Sequence, residues 1–414
     1  MGEREGLTSF AVDLQSTDDN LPYRYPSRTL TITTPSGPFE TPTRAATYYE
    51  YRSRMQVTAK TVVDSPVALS VRKMNFRQLD RFVNKNQPFE PLLRRIELYH
   101  HIAQYARLRL ALIQPTTTAD PQDTVLPAMT VLQSDASMRD RFLRFVVRLQ
   151  QEAGLNPIAV PFLDLPFSAL GSIVRDLHKS ITSLGLEPIF FVDLRYPDKE
   201  FKNVISLLTE ELGSQLIGLI YRRFSQAPVN YDFLSRTYSE RDVAFLSAQV
   251  DRFDMRFDDL STSHYLPFFG ADMYAVEAPE GFHDEKDVPP PSEQISGSQQ
   301  DARVEMARVG RIRFFDRQSL KVKPIDSTFF DSENVLGDMK TEDREYLSQM
   351  LENREEGNSD QKKYRALNSL SKFHELQSST REFQDLRKYI DEGSAKVYVQ
   401  GKTSLEPALA DIRK

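Results

Sequence analysis

The sequence predicts an α/β fold: a (β/α)8 barrel of the TIM type with an N-terminal β-hairpin and a helical C-terminal extension. Apolar segments of strand length alternate along the chain with amphipathic helical patterns, and strands that are apolar on both faces indicate a parallel sheet covered by helices. Seven or eight such units over about 250 residues favour a closed barrel. Because the chain lacks a glycine-rich phosphate fingerprint, an open dinucleotide-binding sheet is the weaker alternative.

The N-terminal segment, residues 1–46, ends in a predicted hairpin that leads into the barrel. Its two strands are predicted over Thr29–Thr34 and Phe39–Ala46, where β-branched residues alternate with turn formers. The Pro-Ser-Gly-Pro sequence at residues 35–38 forms the turn between them.

The predicted barrel, residues 47–280, consists of short apolar strands separated by helices. Two of the helices are predicted over Met138–Gly154 and Ser168–Gly185, and each ends in a glycine, as helices often do. The predicted strands are Pro66–Val71, Leu108–Gln114, Ala128–Gln133, Pro157–Asp164, Pro188–Arg195, Leu216–Arg222 and Val243–Val250.

The C-terminal part begins with a polar loop at residues 281–303, which is rich in Pro, Ser and Gln. Residues 304–414 are predicted to form a strand-and-turn segment and then helices that complete the domain. The predicted helical region carries an apolar face and an opposite basic face that could follow a nucleic-acid backbone or simply contact water. The apolar face comprises Tyr364, Leu367, Leu370, Phe373, Leu376, Phe383, Leu386 and Ile390, and the basic face comprises Lys362, Lys363, Arg365, Lys372, Arg381, Arg387 and Lys388.

The composition excludes several kinds of site. The 414 residues include no cysteine, so disulfides, thiolate nucleophiles and thiolate-bound zinc are excluded. The six histidines are scattered, and we therefore expect no metal site and no cofactor. No segment is long and apolar enough for a membrane span and the N-terminus is charged, so we expect a cytoplasmic protein. The net charge of -6 argues against coating of nucleic acid by bulk charge but leaves a local basic groove open.

Three stretches, in order along the chain, resemble the tRNA-guanine transglycosylase superfamily. LTITTPSGPFETPTRAA is similar to the family's T-P-x-G-x-x-x-T-P hairpin, and FGADMYAVE (Phe269–Glu277) to its G-x-D-M/L-F-D at the last barrel strand. The third stretch begins with RIRFFDRQSLKVKPIDSTFF (311–330), which resembles the run that precedes the family's zinc knuckle, and it continues into LNSLSKFHELQSSTREFQDLRKYIDEGS (367–394), which resembles the helical tail that follows the knuckle.

The chain departs from the family pattern at three places. Ser327, Thr328, Phe329 and Phe330 replace the zinc-binding cysteines, which makes the chain look more like the DNA 7-deazaguanine transglycosylases than the tRNA enzymes. Burial of the two phenylalanines is expected to replace part of what the metal contributes. Ala275 stands at the position of the nucleophilic aspartate, and D-S-G-G-F-Q is missing.

The resemblance implies exchange of guanine in DNA for a 7-deazaguanine base such as 7-cyano-7-deazaguanine, with tRNA as the second choice of substrate. Other proteins of a modification cluster are possible partners. Such chemistry needs a carboxylate that attacks the anomeric carbon and a second acid/base that moves protons. Carboxylates at the C-terminal ends of barrel strands could serve, because barrel active sites lie there. The catalytic candidates are Asp272, Asp135 and Asp64, and the substrate-binding candidates are Gln133, Asp164, Asp193 and Arg222.

Two alternatives stay open. Each of these aspartates could be a helix cap or a turn residue, and Arg222 could be part of an ordinary surface pair with Arg223. At the level of the whole protein, Ala275 and the missing motif favour a catalytically inactive transglycosylase-like subunit that binds nucleic acid or scaffolds a modification complex.

Overall fold

The computed structural model describes residues 10–19, 27–48, 50, 65–117, 126–220, 228–254, 260–276, 313–324, 341, 345 and 361–412. The chain begins with an antiparallel three-stranded sheet of β1 (Ala11–Asp18), β2 (Ser27–Thr34) and β3 (Gly37–Thr41). The predicted hairpin is therefore confirmed, with its turn at Pro35 and Ser36. Its second strand is shorter than predicted, because the chain bends at Pro42 and continues as a separate strand.

The central element is an eight-stranded parallel sheet that is nearly closed into a barrel, as the sequence predicts. The last strand pairs with the first, which closes the ring on that side. Among the described residues no ladder joins the third and fourth strands, and there the Gln114 side-chain amide donates to the Phe162 carbonyl at 3.3 Å. The barrel strands are β4 (Thr43–Thr47), β5 (Val67–Met74), β6 (Leu108–Pro115), β7 (Ile158–Val160), β8 (Pro188–Asp193), β9 (Leu216–Ile220), β10 (Ala244–Val250) and, after the short strands β11 (Phe253–Asp254) and β12 (Leu260–Ser261), β13 (Met273–Val276).

Helices follow most of the strands and cover the outside of the barrel. Both helices predicted in detail are confirmed, and Gly154 and Gly185 have positive φ just beyond their ends. The helices are α1 (Phe76–Leu79), α2 (Glu90–Ile102), α3 (Ala128–Ser134), α4 (Ala136–Glu152), α5 (Phe167–Ser183), α6 (Asp198–Ser206), α7 (Pro228–Tyr238) and α8 (Thr262–Tyr265), with π-helical turns at 80–84 and 207–211.

One predicted strand is wrong: Ala128–Gln133 forms helix α3. Short apolar runs do not distinguish a strand from a buried helical turn. Here Pro127 precedes the first turn, and alanine, methionine, leucine and glutamine are good helix formers. The fourth barrel strand is instead β7, within the predicted segment Pro157–Asp164.

The C-terminal part packs against the barrel and the N-terminal sheet. Strands β14 (Arg313–Asp316) and β15 (Lys321–Pro324) form a hairpin that pairs with β12. The long helix α9 (Gln361–Asp391) contacts β1, β2, β4 and β14, and it is followed by α10 (Ala395–Gly401) and α11 (Leu405–Ile412). The Asp18 carboxylate accepts a 2.7 Å hydrogen bond from the Ala395 amide, so the N-terminal sheet caps a C-terminal helix.

The apolar face predicted for this helix is confirmed from Leu370 onward, where its residues are buried. Of the predicted basic face, Arg381 and Lys388 are exposed, and Lys372 and Arg387 are partly buried. The middle of α9 is nevertheless buried almost all round: His374, Glu375, Ser378 and Ser379 are all inaccessible. Arg44 explains this burial, because its guanidinium ion-pairs with Glu375 at 3.1 Å and donates to Ser379 at 3.0 Å. The helix therefore covers the first barrel strand, as a barrel helix would.

Several predictions fall outside the described residues. They concern the polar loop at 281–303, the residues at the family's zinc position (Ser327–Phe330) and the side chains of Lys362, Lys363 and Arg365, whose backbone belongs to α9. None of the described helices is long and apolar enough to cross a membrane.

Candidate functional site at the C-terminal mouth of the barrel

Polar side chains gather where the barrel strands end. In a parallel barrel all strands end at the same mouth, which is where barrel enzymes have their active sites. Strand β8 ends at Asp193, and the segment after β7 carries Asp164. Helix α3 brings Gln133 to the same place, so the structure joins three of the predicted substrate-binding residues.

Asp193 forms an ion pair with Arg195, two residues later in the chain. The carboxylate accepts from the Arg195 backbone amide at 2.8 Å and from its Nε at 2.9 Å, and Nη2 binds the second oxygen. The hydrogen bond with Asp193 raises the pKa of Arg195; burial opposes this shift, and the charges of Asp193 and Asp164 add to it. The Asp193 carboxylate is nearly buried whereas the guanidinium is about half exposed, at 45%. The pair therefore presents a fixed cation to the mouth.

Asp164 and Gln133 form the second part of the site. The Gln133 Nε2 donates to the Asp164 carbonyl at 2.6 Å and to its carboxylate at 3.2 Å. Both side chains are exposed, so the carboxylate stays accessible to a ligand. Arg139 holds the end of α3, because its Nη1 donates to the Leu132 carbonyl at 3.0 Å.

The loop after β8 is fixed by buried hydrogen bonds. The Asn230 side chain donates to the Leu194 carbonyl at 2.7 Å and to the Tyr196 carbonyl at 3.0 Å. The Tyr196 hydroxyl donates to the Leu165 carbonyl, and burial raises the pKa of this tyrosine well above its ordinary value. These contacts hold the Asp193–Arg195 pair and the Asp164 segment in one arrangement, as a preorganised site requires.

The prediction that Asp272 lies at the C-terminal end of a barrel strand is wrong. Asp272 lies at the opposite end of the barrel from the mouth. It precedes β13, and its carboxylate binds the Arg28 guanidinium at 3.0 and 2.8 Å and the Phe245 amide at 2.8 Å. Arg28 also donates to the Val243 carbonyl at 2.7 Å, so the pair joins the N-terminal sheet to the barrel floor. Burial raises the pKa of Asp272, whereas Arg28 lowers it. This geometry indicates a structural role.

Asp135 and Gln133 are not at a strand end either, because their segment is helical. Asp135 is the N-cap of α4, and its side chain accepts from the Met138 amide at 2.9 Å. Its carboxylate thus satisfies a backbone amide at the start of the helix, which is the role of a helix cap. Gln133 still reaches the mouth because α3 follows the C-terminal end of β6.

The remaining predicted residues have no described geometry. Asp64 and Arg222 lie outside the described residues. Ala275 is buried in β13 and pairs with Ala45 of β4, so this strand position offers no carboxylate. Among the described residues no group of three or more His, Cys, Asp or Glu side chains could hold a metal ion.

Arg195 was not among the residues predicted for the site, although its spacing from Asp193 in the sequence could have indicated it. Arginine two residues after a strand-end aspartate can fold back onto it through a tight turn, and Asp193 receives both the backbone and the side-chain donors of Arg195 in this way.

Comparison with known proteins gives no assignment. No protein-family model matches the chain, and no curated protein sequence matches it significantly.

Proposed function

We propose that the C-terminal mouth binds a guanine-type base and that the protein exchanges guanine in DNA for a 7-deazaguanine base such as 7-cyano-7-deazaguanine. The observation that supports this proposal is the grouping of Gln133, Asp164, Asp193 and Arg195 at the strand ends. Carboxylate and amide groups suit the hydrogen-bonding edge of a purine, and a cation suits the phosphate of the target nucleotide. A tRNA is the second choice of substrate.

In this proposal Asp164 is the nucleophile, because its carboxylate is exposed whereas that of Asp193 is engaged by Arg195. A carboxylate oxygen of Asp164 attacks C1′ of the flipped nucleotide as the C1′–N9 bond breaks, and guanine leaves with the bonding electrons and a proton. The incoming base then loses its N9 proton, and N9 attacks C1′ and displaces the carboxylate. Asp193 orients Arg195 toward phosphate, and Asp64 is the candidate for the proton carrier.

The test is incorporation of labelled 7-cyano-7-deazaguanine into DNA and into tRNA, with the partner proteins of the modification cluster present. We expect incorporation by the unchanged protein and a rate at least about 100-fold lower for Asp164→Asn, which removes the attacking charge. Asp140→Asn is the matched control, because Asp140 is an exposed residue of α4 whose carboxylate pairs with Arg144 at 3.5 Å. Equal rates for Asp164→Asn and the unchanged protein would refute this role of Asp164.

A second candidate is an inactive subunit that binds nucleic acid or scaffolds a modification complex. Two observations favour it: Asp272 is committed to Arg28 at the barrel floor, and the last strand carries Ala275 in place of a carboxylate. Binding of DNA or of a partner protein, with no incorporation of base into either nucleic acid, would select this candidate over the enzyme.

A further inference from the structure

Gln249 has an unusual backbone at the C-terminal end of β10. Ser247 is in register with Tyr274, and Val250 is in register with Val276. The three residue intervals between Ser247 and Val250 therefore lie opposite only two intervals on β13, so β10 has a bulge here. Gln249 lies in this bulge with a φ of 60°, in the left-handed region that residues other than glycine seldom adopt. Bulges next to active sites often redirect a side chain, and backbone strain concentrates at functional positions.

The Gln249 side chain also has an unsatisfied donor. It is buried, and its Nε2 has no hydrogen-bond partner among the residues that the structure describes. Buried amide groups are nearly always paired, so an unpaired one at a barrel mouth points to a ligand that supplies the missing acceptor.

Gln114 offers the complementary group on the opposite wall. Its Nε2 donates to the Phe162 carbonyl at 3.3 Å, while its Oε1 is buried without a partner among the described residues. It is the penultimate residue of β6, as Gln249 is of β10. Three strands separate β6 from β10 in each direction around the barrel, so the two amides lie on opposite sides of the same mouth.

The strand register places Gln114 on the inner face of β6. Ala68 packs outward in a cluster with Tyr99 of helix α2. Side chains alternate along a strand, so Leu69 points inward, and so does Leu110, its partner in register. Gln114 lies four residues after Leu110 and therefore shares its face.

We infer that Gln114 and Gln249 read the two edges of a flat heterocycle that carries a ring carbonyl on one edge and an amino group on the other. The Gln249 amide donates to the ring carbonyl, and the Gln114 carbonyl accepts from the amino group. Guanine and 7-deazaguanine bases have this pattern. This inference rests on the proposed function. It assigns the base specificity of the protein to two residues that lie outside the family motifs.

The recognition would be selective because a site built around a hydrogen bond discriminates strongly against a ligand that lacks it. Replacing the ring carbonyl by an amino group would set a donor against the Gln249 donor. Removing the exocyclic amino group would leave the Gln114 acceptor unpaired.

The experiment measures binding of guanine, 2,6-diaminopurine and hypoxanthine to the full chain by calorimetry. 2,6-Diaminopurine replaces the ring carbonyl by an amino group, and hypoxanthine lacks the exocyclic amino group. We expect the unchanged protein to bind guanine at least about tenfold more tightly than either analogue. Gln249→Glu should shift the preference toward 2,6-diaminopurine, and Gln114→Leu should remove the preference for guanine over hypoxanthine.

Two further variants separate base recognition from folding. Gln249→Gly accommodates the positive φ, so it should keep or raise the melting temperature while it loses the discrimination between guanine and 2,6-diaminopurine. Gln150→Leu is the matched control, because the Gln150 amide is fully paired with Ala159 at 2.9 and 2.8 Å; it should lower stability and leave discrimination unchanged.

Unchanged discrimination in Gln249→Glu and Gln249→Gly would overturn the assignment while leaving the proposed function intact. If the unchanged protein binds none of the three bases, both the assignment and the proposed function are wrong.

Discussion

At the scale of single residues, surroundings separate aspartates that look alike in the sequence. Asp272 is buried and bound to Arg28, Asp135 caps a helix, Asp193 orients an arginine, and Asp164 is exposed at the mouth. A carboxylate with a buried cationic partner stabilises the fold, whereas an accessible one can meet a substrate. The structure therefore makes Asp164 a better candidate than Asp272 for contact with a substrate.

We predict that Asp272→Ala destabilises the protein instead of abolishing a chemical step selectively. The substitution leaves the Arg28 guanidinium buried without its carboxylate, which should lower the free energy of unfolding by about 3–5 kcal/mol. Urea denaturation followed by circular dichroism measures the change. Asp140→Ala, at an exposed position, should stay within about 0.5 kcal/mol. An Asp272→Ala protein of normal stability that has lost base exchange would contradict the structural role.

At the scale of elements, the C-terminal helix α9 covers the outer face of the first barrel strand, β4. Glu375 lies in its buried middle and pairs with Arg44 of β4 and with Arg252, which follows β10. Burial raises the pKa of Glu375, but Arg252 and Arg44 together bring it below its ordinary value. Ion pairs thus join the C-terminal helix to the first barrel strand and to the segment that follows the seventh.

We predict that Glu375→Ala costs about 3–5 kcal/mol of unfolding free energy, because the buried Arg44 and the partly buried Arg252 lose their shared carboxylate. Thermal and urea unfolding at neutral pH provide the measurement. Glu97→Ala on the exposed face of α2 is the control and should change stability by less than about 0.5 kcal/mol. If Glu375→Ala left the free energy of unfolding almost unchanged, the packing of α9 would not depend on these ion pairs.

At the scale of the whole molecule, one buried histidine links the barrel, the β14–β15 hairpin and the C-terminal helix. His264 stacks between Phe315 and Phe383 at centroid distances of 4.5 and 4.9 Å, and Phe383 also stacks on Tyr274 of β13. Its Nδ1 lies 2.9 Å from the Ser261 hydroxyl. Burial, and then the charges of Arg44, Lys402 and Arg317, lower the pKa of His264 well below its ordinary value.

We predict that this histidine makes the protein sensitive to mild acid. A histidine whose pKa is lowered by folding takes up its proton more readily in the unfolded chain, so stability decreases as the pH falls below the unfolded pKa of about 6.5. The decrease should be about 1.4 kcal/mol per pH unit until the folded protein is protonated. Urea midpoints measured from pH 7.5 to pH 5 would reveal it.

The variant for this test is His264→Phe, which keeps the ring stack and removes the titrating group, so its stability should vary much less over the same pH range. His178→Gln is the control: His178 is only partly buried, and its substitution should leave the acid sensitivity in place. The same pH slope in His264→Phe and in the unchanged protein would rule out His264 as the cause.

Much of the architecture and part of the site could be predicted from the chain itself. Alternating apolar strands and amphipathic helices define a helix-covered parallel sheet, because both patterns are local consequences of which side chains must be buried. The rule that barrel sites lie at strand ends identified Asp164 and Asp193 as residues of the mouth.

The sequence by itself thus determined the class of fold and the strands whose ends face the mouth. Only the tertiary structure decided that Ala128–Gln133 is helical, that Asp272 lies at the barrel floor, and that the middle of α9 is buried by Arg44. The physical reason is that burial, ion pairing and the bulge at Gln249 arise from contacts between segments distant in the chain, whereas periodicity reports only on neighbouring residues.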